Sequence, residues 1–179
     1  MDESTAGRSL ERTIRQLLAA LLAAAQLGVA TNTSAAEATY AVKQLLPDTA
    51  MKAVQAALAK CRDSGYQVAV AVVDRAGITQ ALVRDRYAGP HTIDVSQNKA
   101  WTAASFKTNT TQLEQLTRPG QPMSGLRAVA RFTAIGGGVT IEAGGALLGA
   151  IGVSGAPGGE ADEMCAQAGI KAIADSLEF

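Results

Sequence analysis

One histidine, two cysteines and a run of three glycines are where chemistry could turn in this chain of 179 residues. His91 follows Gly89-Pro90 and opens a helical pattern. The positive pole of a helix start leaves a neutral ring nitrogen free to ligate a metal. A surface or capping histidine is the plainer reading of that position. With a single histidine, a three-histidine metal site within one chain is impossible. Met123, Met164 and Tyr87 are further iron ligands by type, although Met164 falls on the apolar face of the last helix and is expected in the core. Ile135-Gly136-Gly137-Gly138 lacks the Lys-Ser/Thr of a phosphate loop, fails the GxGxxG spacing and leads into a strand. Its glycines instead allow close approach to the backbone, by the protein itself or by a flat ligand. Ser154 lacks the strand-turn-helix setting of a hydrolase nucleophile, because Pro157 follows so soon. Asp74 and Asp94 are isolated, so no carboxylate pair for acid–base work is visible. Glu160, Asp162 and Glu163 read as the start of a helix.

The elements that must position these residues follow from periodicity. Pro47–Arg62 is helical, with Ala50, Met51, Val54, Ala57, Leu58 and Cys61 at three- and four-residue steps. Val68–Asp74 is an apolar run with the character of a strand buried on both faces. Thr79–Arg84 pairs with it across the Arg75-Ala76-Gly77 turn. His91–Lys107 returns to helical spacing, and its alanines would let it lie close to a sheet. A short helix is expected at Thr111–Leu116, then a loop through Arg118–Ser124. Thr133–Gly138 leads into a second hairpin, Val139–Ala143 and Ala146–Val153, turning at Gly144-Gly145. A last helix runs from Pro157 to Leu177. This order predicts an α+β fold with a mainly antiparallel sheet and helices on its faces.

Cys61 and Cys165 fall near facing ends of the first and last helices if those two lie antiparallel. A disulfide between them and two buried free thiols both fit. The sequence leans to the thiols, since cysteine is often simply core.

Composition limits the function. Lysine plus arginine and aspartate plus glutamate are 16 each, so the net charge is zero, which argues against nucleic acid as a partner. Leu17–Ala30 is apolar but for Gln26, is shorter than the ~20 residues that span a bilayer, and follows Arg8, Arg12 and Arg15. Ser34 and Ala36 suit a signal peptidase. Residues 1–36 are expected to be a signal peptide, leaving a domain at 37–179 and a periplasmic or secreted location.

Four motifs in order resemble a known family. Ala69–Gly77 resembles the "VAVVDxxG" opening of the GlcG/HbpS-like, haem-degrading domain family. Lys99-Ala100-Trp101-Thr102-Ala103 is similar to its "KAxTA" helix, and Ile135–Val139 to its glycine-rich motif. Gly149–Pro157, followed by Asp162-Glu163, resembles its "GAIGVSGAP…DE" signature. The resemblance spans about Pro47 to Ala174. It implies a profilin-like domain with α/β/α layers, assembly into homo-oligomers, and haem as cofactor. For the secreted branch it implies iron or haem sequestration, or redox sensing, beside a membrane sensor or transporter partner. The alternative it carries is an accessory enzyme that degrades haem or acts on a corrinoid or small metabolite.

Carried to residues, the branch's threonine beside haem iron falls at Phe132 or Thr133, depending on the alignment by one residue. Its acidic ExxE pair falls at Asp94 and Gln97, leaving one carboxylate. The expected haem site is the edge between the Gly89-Pro90-His91 turn and Phe132–Gly138. There Gly136, Gly137 and Gly138 would admit the macrocycle and Phe132 would pack on it. Arg131 or Arg127 would pair with a propionate. His91, or the Thr133 oxygen with water, would ligate iron.

Overall fold

Helix α1, Pro47–Asp63, begins with proline in its first turn and has Asp48 there, with Lys60 and Arg62 in its last turn; both charge placements favour the helix dipole. Strands β1 (Ala69–Asp74) and β2 (Thr79–Arg84) pair antiparallel. The Asp74 carboxylate closes their turn by accepting the N–H groups of Ala76 and Ile78 at 2.8 and 2.9 Å. Helices α2 (His91–Phe106) and α3 (Thr110–Leu116) follow, then a 3-10 turn at Ser124–Ala128. Strands β3 (Gly138–Ala143) and β4 (Ala146–Ser154) make the second hairpin. Its two-residue loop, Gly144-Gly145, has φ of 55° and 75°, the left-handed pair that a tight hairpin requires. Helix α4, Gly159–Ile173, ends in a 3-10 turn at Ala174–Ser176. This computed structural model describes residues 38–177, so the expected signal peptide at 1–36 lies outside the described residues. From Val42 onward the chain forms one unit.

The strand order is β2-β1-β4-β3, antiparallel throughout. Strand alternation divides the two faces. Val68, Val70, Val72, Ile151 and Val153 enter an aliphatic core with buried residues of α1 and α4. Val73 and Ala150 face Ala100, Ala103 and Ala104 of α2. The result is the α/β/α layering expected from the sequence, with one thick aliphatic interface and one thin interface of small residues. On the thin side, a Cβ at Gly152 would stand 2.0 Å from the Ser96 carbonyl oxygen and 2.7 Å from the Ala100 nitrogen. Helix α2 therefore rests on the strand's backbone.

The alanines of α2 lie against the sheet, as their spacing predicts. Some expectations change. The second hairpin's first strand starts at Gly138, one residue before the expected Val139. Met164 is 42% exposed rather than core. Cys61 and Cys165 are joined by a disulfide, with Cα atoms 5.5 Å apart, against the leaning to free thiols. The antiparallel packing of α1 and α4 brings the two residues together.

Candidate functional site

Every fourth residue of the first half of α2 (His91, Val95 and Lys99) falls on one stripe. That stripe lines a hollow of about 330 Å³, closed by Ile135, by the Ser154–Ala156 turn, and by Gly158, Gly159 and Asp162 at the start of α4. The size is at the lower end of the ~300–1,000 Å³ usual for ligand sites. Val95, Ile135, Ala156 and three glycines make its apolar wall, and His91, Lys99, Ser154 and Asp162 are its polar side chains.

At the outer rim, His91 is exposed. Its ring lies against the missing side chain of Gly89, where a Cβ would be 2.6 Å from Cε1 and 2.8 Å from Nδ1. Among the described residues neither ring nitrogen has a hydrogen-bond partner.

At the inner end, Lys99 and Asp162 form a buried ion pair. Lys99 Nζ donates to Asp162 Oδ2 at 2.7 Å and to the Val153 carbonyl at 3.0 Å. Asp162 Oδ1 accepts the Ala156 N–H at 3.0 Å, so the pair ties α2 to α4 and to the turn between β4 and α4. Burial lowers the pKa of Lys99, opposed by the charges of Asp162 and then Glu163. Burial raises that of Asp162, opposed by Lys99 and by the Ala156 N–H. Glu163 binds the Thr111 hydroxyl, which draws α3 into the same junction.

The structure brings part of the expected site together. His91 and Ile135 face one hollow. Arg131, Phe132 and Thr133 are not among its lining residues and lie along the later turns of α2. Thr102, fully buried, accepts the Thr133 N–H at 2.9 Å and donates to the Arg131 carbonyl at 3.4 Å. The Thr133 hydroxyl donates to the same carbonyl at 3.2 Å. The Arg131 guanidinium sits 5.1 Å from the centre of the Trp101 ring and bonds Asn98 at 3.3 Å. Phe132 packs edge-on against Phe106, with ring centres 5.1 Å apart. Arg127 donates to the Thr117 carbonyl at 2.7 Å, so it is engaged at the end of α3. Gln97 donates to the Thr79 hydroxyl at 3.0 Å, and Asp94 is exposed.

The glycine run corrects the sequence reading. Gly136, Gly137 and Gly138 are buried, and the protein itself fills the space their side chains would take. A Cβ at Gly136 would meet Thr111 Oγ1 at 2.6 Å, one at Gly137 would meet Asp162 Cβ at 2.6 Å, and one at Gly138 would meet the Lys99 carbonyl at 2.5 Å. These glycines let three elements close around the ion pair. Sequence reasoning missed Lys99 and Asp162 as site residues, although both stand in motifs it had singled out.

Three comparisons bear on this arrangement. Residues 45–171 match the family described as haem degrading protein, HbpS-like. A double mutant of Streptomyces reticuli HbpS has 34% identity and a TM-score of 0.70, over 74% of this chain and 89% of that one. The PduOC:haem complex has 30% identity and a TM-score of 0.69, over 73% and 95%. Among curated proteins, the corrinoid adenosyltransferase PduO of Salmonella typhimurium is 31% identical over 121 residues, which are 66% of this chain. That stretch spans 36% of the adenosyltransferase, about a third of its length.

Proposed function

The chain belongs to the HbpS-like haem-degrading protein family, and from that premise we propose that it binds haem at the hollow headed by His91. The observation that carries the reading is the donor set: an exposed imidazole with both nitrogens unpartnered among the described residues, on the rim of a hollow walled by Val95, Ile135 and Ala156. An imidazole suits haem iron and an aliphatic wall suits a macrocycle. Bound haem supplies redox chemistry at iron; the chain's part is to hold it, to exclude water on one side and to offer a nitrogen at His91. A solved relative carrying haem supports the choice of haem over a corrinoid. The adenosyltransferase likeness, which would favour a corrinoid, covers about a third of that protein.

The finer reading is of a secreted or periplasmic haem-binding protein that sequesters haem or senses redox state. The apolar segment Leu17–Ala30 and the pairing of Cys61 with Cys165 support it, because disulfides persist in oxidising compartments. A hollow open to solvent and small for a whole tetrapyrrole supports assembly into a homo-oligomer. Light scattering at micromolar concentration should return a multiple of the chain mass; a monomer rejects assembly.

The test of the site is a pair of variants titrated with haemin. His91→Ala should shift the ferric Soret maximum and weaken affinity by about tenfold or more, the loss of one iron–ligand contact. Thr133→Val should leave both near the parent. The reverse pattern moves the iron ligand to Thr133. If both variants keep the parent spectrum and affinity, the site is wrong.

A further inference from the structure

Ser154 is a polar residue that the fold buries without using. It is 6% exposed, it lines the hollow, and its hydroxyl has no hydrogen-bond partner among the described residues. The residue borders the hollow with that hydroxyl uncommitted. Beside it, Lys99 carries three N–H donors, and two are committed, to Asp162 and Val153. The first turn of the 15-residue helix α4 borders the same space, with Gly158 at its cap and no side-chain cap hydrogen bond among the described residues. A hydroxyl, an ammonium with a third N–H and the start of a helix thus border one hollow, at the end away from His91.

We propose that this inner end seats a carboxylate. Each of these groups can donate, and several donors lining one hollow favour an acceptor with several lone pairs. Asp162 already neutralises Lys99, Glu160 stands exposed nearby, and Glu163 is turned to Thr111. The seat thus has little net positive charge, and a free small acid gains little by entering it. A carboxylate delivered by a larger ligand that also covers Val95 and Ile135 is favoured. Resting on the haem reading above, the inference is that a propionate is that carboxylate. It lies at the Ser154 end, while the iron faces His91 at the rim.

Haemin and haemin dimethyl ester separate the two ideas. Both are titrated into the full chain and into Ser154→Ala, in the same fraction of dimethyl sulfoxide, with free propionate as a competitor. The ester should bind parent protein about tenfold or more weakly than haemin, the loss of charge-assisted hydrogen bonds. Ser154→Ala should weaken haemin severalfold and leave the ester unchanged; a purely structural serine would shift both alike. Propionate at millimolar concentration should not displace haemin. Equal binding of haemin and ester, or equal effects of Ser154→Ala on both, overturns the seat and leaves haem binding standing. Displacement by propionate overturns the claim that the seat takes a carboxylate only when a larger ligand delivers it. No binding of haemin at all overturns the haem reading and the seat with it.

Discussion

Lys99 and Asp162 set burial against charge at a single contact. Removing one partner from a buried ion pair strands the other, at about 3–5 kcal/mol. Lys99→Met should therefore destabilise the protein by that order at neutral pH. The sign of its pH dependence follows from Asp162, whose carboxyl is already raised by burial and rises further without Lys99. A raised folded pKa contributes stability that is present below the unfolded value and lost as pH rises through the folded one. The deficit of Lys99→Met should then be smaller near about pH 5 than near about pH 7.5, as urea denaturation would read. A deficit independent of pH contradicts the buried pair. Replacing both by apolar residues should recover much of the loss. Here the sequence was only half legible. His91 stood out by being unique, and the helix start that exposes it was plain from Gly89-Pro90. The pairing of Lys99 with Asp162 joins residues 63 apart, and nothing local marks either as the other's partner. Nothing in the sequence marks Ser154 as unpartnered, because its lack of a partner is a property of the fold.

The elements were easier to read than the contacts between them. Helix α1 follows the periodicity expected of it, β2 pairs with β1 as expected, and the two hairpins turn where glycine permits a left-handed backbone. The glycine run was legible as close approach; that protein, and not a ligand, makes the approach was not. The same holds at Gly152, where α2 lies on β4. Gly152→Ala should destabilise by about 1–3 kcal/mol through overpacking, because the obstructing atoms are the backbone of Ser96 and Ala100 and cannot rotate away. A thermal melt unchanged from the parent would contradict the close packing of α2. Thr102 was quoted only as part of a motif. Its role, clamping Arg131 and Thr133 by two hydrogen bonds, needed the neighbouring segment in place.

Across the whole molecule, the disulfide links positions 104 apart in sequence. Loop-closure entropy for about 100 residues corresponds to ~4.7 kcal/mol in the chain-entropy model, and native disulfides of small domains usually give about 2–5. Reduction, or Cys61→Ala with Cys165→Ala, should lower unfolding stability within that range. Thiol counting under denaturing, non-reducing conditions should find none, and two would reject the bond. The bond was open in the sequence because it depends on how α1 and α4 cross, which periodicity does not fix.

Haem binding by this chain is tested most directly by titrating haemin into the full protein while following the Soret band and the emission of Trp101 together. Trp101 is the only tryptophan, and it lies on α2, the helix that carries His91 and Lys99. Saturable growth of a shifted Soret band, with quenching of Trp101 emission along the same curve, is the expected result. A spectrum that stays that of free haemin, with Trp101 emission falling no further than the absorbance of added haemin accounts for, would contradict it.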